Sequence, residues 1–460
     1  MSADGLALAR RKMEEAGVSP TAIEVFARFY GLLGSGETGV IPESTVRPLT
    51  DVPHLDALSV DAAAAREALG ATAVLKLNGG LGTSMGMDKA KSLLRVRGER
   101  TFLDVIAAQV LAARAATGAR LPLVLMNSFR TQDDSRAALA RYPELAVDGL
   151  PLDFLQNREP KLRADDLTPV EWPQDPSLEW CPPGHGDLYT ALYASGTLQA
   201  LLDAGFRYAS VSNSDNLGAV PDARIAGWFA ASGAPYAAEV CRRTPADRKG
   251  GHLVVRASDG RMVLRETAQT PPEDADVASD IEVHPFFHTN NLWFDLRALA
   301  AELERTGGVL ELPLIRNDKT VDPTRKDSTP VVQIESAMGA AIEAFDGATA
   351  LEVPRSRFLP VKTTNDLLVL RSDVYADDDA HRLVAQVDAP FVDLDTDHYK
   401  TIDAFDTRVP HTPSLRSATA LRVEGDWTFG RDVVVEGEAR LAGAGGAVPD
   451  GARVGADGVA

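Results

Sequence analysis

Three short apolar runs, each ending in asparagine or serine, constrain the fold of this chain more than any other feature. They occupy residues 71–78, 121–128 and 206–213, and helical segments separate them. Apolar runs of this length are typical of strands that are buried on both faces. Strands that alternate with helices predict a doubly wound, mostly parallel α/β sheet, and such sheets bind their ligands at the carboxyl ends of the strands.

The segments around these runs predict helices with recognisable ends. Residues 1–70 contain three helical segments and are expected to form a helical N-terminal region packed across the sheet. After the first run, Thr101 and Asp104 form the pattern of a capping box at the start of a helix with one apolar face. Residues 188–205 predict one further helix. On this pattern we assign residues 71–405 to a single large domain.

The C-terminal tail has a different period. After Leu421, apolar side chains recur at every sixth position, which are Val423, Phe429, Val435, Leu441 and Ala447. A period of six residues is typical of a β-helix, so residues 416–460 are predicted to form a small one. A plain antiparallel hairpin is the alternative. The proline-rich stretch at residues 409–415 is the expected linker.

Charge and cysteine content exclude several classes of protein. The formal net charge is −19 at pH 7, which argues against broad binding to DNA or RNA. Two cysteines, Cys181 and Cys241, cannot form a disulfide framework or a four-ligand zinc site. No stretch approaches the ~20 apolar residues of a membrane span, and residues 1–17 lack the apolar core of a signal peptide. We expect a cytoplasmic protein with no nucleic-acid or membrane partner.

The first apolar run continues into a glycine-rich loop that is followed by lysines. Gly79, Gly80 and Gly82 allow a sharp turn in which backbone N–H groups point at an anion. Lys89 and Lys91 come close behind and add fixed positive charge. The spacing fits neither a P-loop nor a dinucleotide-binding fingerprint. The loop therefore predicts a polyphosphate site of another kind.

The third apolar run ends in the sequence SNSDN, at residues 212–216. A carboxylate at this strand end, Asp215, can hold a Mg²⁺ ion that bridges phosphates, because Mg²⁺ prefers oxygen ligands and few protein carboxylates. A turn rich in asparagine and aspartate is the alternative.

The sequence PPGHGDLYTAL places four small or polar residues just before a predicted helix. Gly184 and Gly186 permit close backbone approach to a base or a sugar. His185 could donate to a hydroxyl or a phosphate group. Asp187 could belong to the same site or could only be the N-cap of the helix.

Eight motifs together closely resemble the UTP–glucose-1-phosphate uridylyltransferase family, also called UDP-glucose pyrophosphorylase, of the eukaryotic type. Between residues 74 and 371, and in the family's order, they are LNGGLGTSMG, TFLD, MNSF, PPGHGDLY, VSNSDNLGA, TNNLW, QIESAMGAAI and FLPVKTTNDLL. The resemblance implies a Rossmann-like nucleotidyltransferase fold. It also implies a Mg²⁺-dependent reaction in which UTP and glucose 1-phosphate give UDP-glucose and pyrophosphate without a covalent intermediate. The family's β-helix domain suggests a homo-oligomer formed through the C-terminal region.

The resemblance implies a role for each matching position. UTP would bind at Leu77, Asn78, Gly79, Gly80, Lys91, Gln156, Gly184, Asp215 and Lys362. The sugar phosphate would bind at Gly79, Gly80, His185, Asn213, Ser214, Asp215, Gly251, Glu266, His288, Thr289 and Asn290. Lys91, Asp215 and Lys362 would be catalytic, with Asp215 as the Mg²⁺ ligand, and Gln156 would read uracil.

Two departures from the family pattern leave the sugar open. The family usually reads Lys-Gly-Pro-Lys-Ser where this chain has DKAKS at residues 88–92, and it reads asparagine where this chain has His288. Lost or altered hydroxyl contacts can change discrimination by large factors. The alternatives are the same chemistry on galactose 1-phosphate or N-acetylglucosamine 1-phosphate, and a non-catalytic sugar-nucleotide sensor.

Overall fold

The computed structural model describes residues 3–244, 247 and 250–459. The α-helices in this part of the chain are α1 (Ala3–Glu15), α2 (Pro20–Gly34), α3 (Ala62–Gly70), α4 (Phe102–Thr117), α5 (Gln132–Leu139), α6 (Asp187–Ala194), α7 (Thr197–Asp203), α8 (Ala223–Ser232), α9 (Ala275–Ser279), α10 (Leu296–Arg305), α11 (Thr364–Arg371), α12 (Thr396–Tyr399) and α13 (Ile402–Arg408).

The strands fall into a long central set and a shorter C-terminal set. The first set is β1 (Val46–Pro48), β2 (Thr72–Asn78), β3 (Arg95–Arg97), β4 (Arg100–Thr101), β5 (Leu123–Asn127), β6 (Asp153–Leu155), β7 (Glu159–Pro160), β8 (Leu162–Arg163), β9 (Trp180–Cys181), β10 (Tyr208–Asn213), β11 (Tyr236–Arg242), β12 (His252–Arg256), β13 (Met262–Arg265), β14 (Phe286–Asp295), β15 (Ile315–Thr320), β16 (Pro330–Glu335) and β17 (Thr349–Glu352). The second set is β18 (Tyr375–Asp377), β19 (Leu383–Ala385), β20 (Phe391–Leu394), β21 (Ser414–Val423), β22 (Asp426–Phe429), β23 (Val434–Leu441), β24 (Gly445–Val448), β25 (Arg453–Gly455) and β26 (Gly458–Val459).

The predicted α/β sheet forms the centre of the molecule. Its strand order is β1-β12-β14-β10-β2-β5-β6, with β11 and β17 branching from β14 and with β13 beside β12. The three predicted strands, β2, β5 and β10, are parallel neighbours, and β6 continues the parallel order. Strand β14 runs antiparallel to both β10 and β11. The carboxyl ends of β2, β5 and β10 consequently meet at one edge.

The two faces of the sheet are covered by separate hydrophobic cores. On β2, Val74 faces one core while Ala73 and Leu75 face the other. Helix α4 packs on the first face and helices α2 and α6 on the second. This explains why the strands read as continuous apolar runs, since neither face is exposed to water. None of the described helices is both long enough and apolar enough to cross a bilayer.

The helix ends confirm one prediction and correct another. The Thr101 side chain accepts from the N–H of Asp104, whose carboxylate accepts from the N–H of Thr101, so the capping box is present. The single helix expected over residues 188–205 is wrong, because α6 and α7 are separated at Gly196. That glycine has a φ of 76°, a left-handed conformation that does not continue a helix.

The C-terminal strands form a small β-helix. Strands β20, β21, β23 and β25 pair in parallel, as do β22 and β24, which excludes a plain hairpin for this region. Only β25 and β26, among the described strands of this sheet, pair antiparallel. The period of six slips once: Ala447 is exposed and Val448 is buried in its place. Strand β20, which precedes the predicted linker, belongs to the same sheet.

Candidate active site

The glycine loop leaves the end of β2 and folds back on itself. Gly82 and Gly86 take left-handed conformations, with φ of 66° and 74°, on either side of a 3-10 turn at Thr83–Met85. The backbone N–H of Lys91 donates to the carbonyl of Gly80 at 2.9 Å. Gly80 is exposed, and a Cβ at this position would meet no atom within 4 Å. The loop therefore presents open backbone with a lysine at its base.

Lys91 faces a carboxylate from the neighbouring strand. Its Nζ lies 2.5 Å from Oδ2 of Asp215, and the two side chains are 18% and 19% exposed. Asp215 follows β10, whose last residue, Asn213, is partly buried. The N–H of Ser214 donates to the carbonyl of Leu77 at 3.0 Å, which joins the two strand ends. The residues predicted from the two motifs thus meet at one edge of the sheet.

Gln156 covers the start of the glycine loop. A Cβ on Gly79 would lie 2.7 Å from Oε1 of Gln156, so a larger residue here would move that amide from its position. The N–H of Gln156 donates to the carbonyl of Asn127 at the end of β5, at 2.8 Å. We call Gly79, Gly80, Lys91 and Gln156 the nucleotide side of the site, after the role that the resemblance implies.

Asp187 holds the segment that carries Gln156. Its carboxylate accepts from the N–H of Asn157 at 2.6 Å and from Nδ2 of the same residue at 2.8 Å. The N-cap of α6 is Gly186 rather than Asp187, so the alternative of a simple cap is wrong. Burial raises the pKa of the Asp187 carboxyl to about 7, although the two hydrogen bonds from Asn157 oppose that rise.

His185 is fixed as a neutral imidazole. Its Nδ1 accepts from the N–H of Met338 at 2.9 Å, and burial lowers its pKa to about 4. Because Nδ1 is the acceptor, the proton of the neutral ring lies on Nε2, which is left as a donor. Gly184, just before it, has a φ of 77° and lies so close to Ser336 that a Cβ would come within 2.5 Å of the Ser336 carbonyl oxygen.

The other predicted sugar ligands cluster around β12 and β14. A Cβ on Gly251 would lie 2.8 Å from Oε1 of Glu266, and the carbonyl of Gly251 accepts from the N–H of His288 at 3.0 Å. Burial raises the pKa of the Glu266 carboxyl and lowers that of the His288 imidazole to about 4. We call His185, Glu266, His288 and Asn290 the sugar side.

A β-bulge interrupts strand β14 at Thr289 and Asn290. The register between β11 and β14 shifts between Glu239 and Val240, which leaves Thr289 and Asn290 unpaired. Asn290 has a φ of 59°, a left-handed conformation that asparagine tolerates better than most residues. The hydroxyl of Thr289 donates to the carbonyl of Glu239 at 2.7 Å, so this side chain faces the neighbouring strand.

Lys362 approaches the site from a second segment. The segment is fastened to the loop of Asp215, because the N–H of Leu359 donates to Oδ1 of Asn216 at 2.8 Å. The N–H of Lys362 donates to the Asp366 carboxylate, which also caps α11. The Lys362 side chain is exposed, and its charge opposes the rise that burial causes in the pKa of Glu266.

Two predicted side chains face the interior. Asn78 is buried, and its Nδ2 donates to Oδ1 of Asn127 at 2.7 Å and to Oγ of Ser135 at 2.8 Å. Ser214 is buried as well. The backbone of these residues, rather than their side chains, is therefore what lies next to the glycine loop.

Comparisons with known proteins decide the family. A family model described as UTP–glucose-1-phosphate uridylyltransferase matches residues 24–436. A protein of that name from Solanum tuberosum is 38% identical to this chain, and the match covers 98% of this chain and 95% of the Solanum tuberosum protein. Another, from Saccharomyces cerevisiae, is 40% identical, and the match covers 79% of this chain and 72% of the Saccharomyces cerevisiae protein. The chain belongs to the UTP–glucose-1-phosphate uridylyltransferase family.

Solved structures lead to the same family. A variant of UDP-glucose pyrophosphorylase from Leishmania major, in complex with UDP-glucose, has a TM-score of 0.92 and 42% identity over 99% of both chains. A Trypanosoma brucei protein described as UDP-glucose phosphorylase has a TM-score of 0.88 and 43% identity over 98% and 100%. The predicted family, enzyme class and fold class are confirmed.

The site of this uridylyltransferase family member fits a Mg²⁺ ion that is shared with a substrate. No three His, Cys, Asp or Glu side chains of residues 3–244, 247 and 250–459 are placed to hold a metal by themselves. Mg²⁺ that acts on nucleotides is usually held by one or two carboxylates together with phosphate oxygens and waters. Asp215, a partly exposed carboxylate beside the glycine loop, is a donor of this kind. Metal binding stays a prediction.

Sequence reasoning missed three buried ionisable side chains beneath the site. Lys76, in the middle of β2, donates from Nζ to Oγ of Ser212 at 2.7 Å and to the carbonyl of Ala219 at 2.9 Å. Glu239 and Arg357 form a buried ion pair. The signal that could have found two of them is a charged residue inside an apolar strand, as in AVLKLN and AAEVC.

Proposed function

We propose that this protein transfers the uridylyl group of UTP to α-D-glucose 1-phosphate, which gives UDP-glucose and pyrophosphate. Family membership supports the reaction, and the related Leishmania major enzyme is known in complex with UDP-glucose. The observation that carries the proposal is the meeting of the nucleotide side and the sugar side at one edge of the sheet. Lys91 of the nucleotide side pairs with Asp215. The next residue, Asn216, donates from Nδ2 to Oδ1 of Asn291, which follows Asn290 of the sugar side, at 3.0 Å.

The transfer needs positioning and charge neutralisation more than covalent chemistry. An oxygen of the sugar phosphate attacks the α-phosphorus of UTP, the bond from that phosphorus to the bridging oxygen breaks, and pyrophosphate leaves in line. Both cysteines are buried, and burial raises the pKa of each thiol, which argues against a cysteine nucleophile. Direct transfer without a covalent intermediate is the mechanism that the family resemblance implies.

The residues divide this work between them. Backbone N–H groups of Gly79 and Gly80 approach the nucleotide, and the amide of Gln156 reads the edge of uracil. His185, as a neutral ring, donates from Nε2 to the sugar phosphate. Lys91 and Lys362 neutralise charge on the phosphates from two sides, as preorganised cations do in other phosphoryl-type transfers.

Asp215 would hold the Mg²⁺ ion, with phosphate oxygens and water completing its ligands. When bound, such an ion supplies positive charge to the phosphates. Lys91, which pairs with Asp215 in the structure, is then free to turn towards the nucleotide. The side chains of Glu266 and Asn290 are the sugar-hydroxyl ligands of the proposal, with His288 beside them.

Release of pyrophosphate from UTP and Mg²⁺, measured across a panel of sugar 1-phosphates, tests the proposal. Glucose 1-phosphate should give the highest kcat/KM, and ATP, GTP and dTTP should replace UTP poorly. Preference for galactose 1-phosphate or N-acetylglucosamine 1-phosphate would mean the same reaction with a different sugar specificity. His288 would then be the first residue to substitute. Binding of UDP-glucose without any turnover would make the protein a sensor.

Compartment and assembly complete the proposal. Two free, buried cysteines suit the reducing cytoplasm. The C-terminal β-helix is the proposed contact in a homo-oligomer, since its last strand, Gly458–Val459, pairs with β25 alone among the described strands. Light scattering of the purified protein measures the mass in solution, and a mass of one chain at all concentrations would contradict the oligomer.

A further inference from the structure

An ion pair lies buried beneath the site, outside every set of residues that the reaction uses. Nε and Nη2 of Arg357 donate to Oε2 and Oε1 of Glu239, both at 2.8 Å, in the bidentate geometry that arginine and carboxylate favour. The side chains are 6% and 1% exposed. Burial alone would raise the pKa of the Glu239 carboxyl, but Arg357 and neighbouring hydrogen bonds hold it below its usual value.

The pair is fully hydrogen-bonded by its surroundings. Glu239 accepts from Nδ2 of Asn291 at 3.0 Å and from Nε1 of Trp293 at 2.9 Å, and Arg357 donates from Nη1 to the carbonyl of Val220 at 3.1 Å. A buried ion pair is weak evidence for stability, because apolar residues of the same volume are often as stable. The alternative reason for such a pair is that it holds neighbouring segments in a fixed geometry.

The backbone of the same two residues fastens three segments of the site. The carbonyl of Arg357 accepts from Nδ2 of Asn216 at 3.0 Å and from Nδ2 of Asn291 at 3.2 Å. Asn216 follows Asp215 directly, and Arg357 precedes Lys362 by five positions. The carbonyl of Glu239 accepts from the hydroxyl of Thr289, in the bulge that contains Asn290.

We infer that Glu239 and Arg357 are positioning residues for the transfer reaction. The pair joins the Asp215 loop, the Asn290 bulge and the Lys362 segment into one rigid body, which fixes the distance between the sugar hydroxyl ligands and the phosphate-binding lysine. This inference rests on the proposed function. A misplacement of about 1 Å remote from the reacting atoms can cost on the order of 10²-fold in rate, so loss of the pair should appear in kcat.

The test removes both charges together, because removing one would leave a buried charge without its partner. The double variant Glu239→Gln with Arg357→Met should keep a melting temperature near that of the native protein. Its kcat should fall by about 10²-fold, while KM for UTP and for glucose 1-phosphate changes by less than about threefold, since neither residue contacts a substrate. A higher KM for either substrate with native kcat would overturn the inference. Native kcat and native KM in a folded double variant would overturn it as well.

Two further variants keep the result interpretable. The control variant, Asp104→Asn with Arg141→Met, removes a 2.6 Å ion pair in which only Asp104 is buried. This pair contacts none of the three segments, so the control should keep native kcat. Arg357→Lys keeps the charge and loses the bidentate contact, so it should lose part of kcat. If the double variant does not fold, Arg357→Lys decides alone, and native kcat in it overturns the inference. Absence of turnover in the native protein would instead defeat the proposed function.

Discussion

The nucleotide side and the sugar side meet at one sheet edge but differ in burial and in charge. On the nucleotide side, Gly80 is exposed and the Lys91–Asp215 pair is about one-fifth exposed. On the sugar side, His185 and His288 are neutral because burial lowers the pKa of each to about 4. The positive charge of Lys91 thus lies on the side that would meet polyphosphate, whereas the sugar side offers two neutral imidazoles beside the Glu266 carboxyl, whose pKa burial raises.

This difference teaches where each kind of recognition has to come from. A polyphosphate can be bound by open backbone and mobile lysines, because charge acts over several ångströms and tolerates small errors of position. A sugar hydroxyl is read by hydrogen bonds, which weaken steeply when distance or angle is wrong. The sugar side therefore needs the β-bulge and the buried contacts that hold Asn290 and His185 in place.

The largest effect is expected for the cation of the nucleotide side. Lys91→Ala removes a positive charge from the place where negative charge develops, and kcat should fall about 10²–10³-fold, the range for loss of one such donor. Rates of pyrophosphate release measure it. Lys326→Ala, which removes an exposed lysine before β16, is the control and should match the native protein. Native kcat in Lys91→Ala would exclude Lys91 from the reaction.

A somewhat smaller loss is expected for Asp215→Asn, about 10²-fold in kcat, because the amide keeps the shape of the carboxylate but not its charge. The Mg²⁺ concentration for half-maximal rate should rise in the same assay. The melting temperature should change little, since a partly exposed ion pair contributes only about 1 kcal/mol or less. Unchanged turnover with a normal melting curve would remove Asp215 from the mechanism.

On the sugar side, His185→Leu should lower kcat/KM for glucose 1-phosphate by at least about tenfold and leave KM for UTP near its native value. The pKa of about 4 makes the ring neutral throughout pH 5.5–8. The ratio of native to variant kcat/KM should therefore be flat over that range. A ratio that changes near pH 6.5 would mean that His185 acts as a charged group.

Substitutions at two adjacent glycines distinguish recognition of the base from binding of the phosphates. Gly79→Ala places a Cβ against Gln156, so discrimination between UTP and CTP should fall by about tenfold. Gly80→Ala places a Cβ in open space and should keep that discrimination, with any loss confined to KM for both nucleotides. The ratio of kcat/KM for UTP and CTP in each variant measures this. Equal losses of discrimination would contradict a separate role for Gln156.

The nucleotide side could be predicted from the sequence because its residues are close in the chain. Gly79, Gly80 and Lys91 lie within 13 residues, and the capping box of α4 needs only Thr101 and Asp104. Local patterns of this kind depend on backbone conformation and on neighbouring charge, both of which the sequence states directly. The strands were predictable for the same reason.

What the sequence did not reveal depends on distant contacts. Glu239 and Arg357 are 118 residues apart, and His185 is held by Met338 at a separation of 153 residues. Glu239 stands out locally as a charge inside an apolar strand, but nothing near it in the chain points to its partner, and the same holds for His185. The exposed Ala447 shows the limit of periodicity as well, because a slip of one residue in the turn moves the apolar role to Val448.

The last expected effect concerns stability rather than rate and lies beneath the nucleotide side. Burial lowers the pKa of Lys76 to about 7, whereas an unfolded lysine titrates near 10.4. Between about pH 7 and 10 the unfolded chain binds the proton that the folded chain has released. The stability of the native protein relative to Lys76→Met should therefore rise with pH, by up to about 1.4 kcal/mol per pH unit. Urea unfolding of both proteins at pH 7, 8 and 9 measures the difference. A difference that is flat, or that shrinks as the pH rises, would mean that the lysine stays charged in the fold. The nucleotide side would then rest on a buried cation, and its contrast with the neutral histidines of the sugar side would extend into the core.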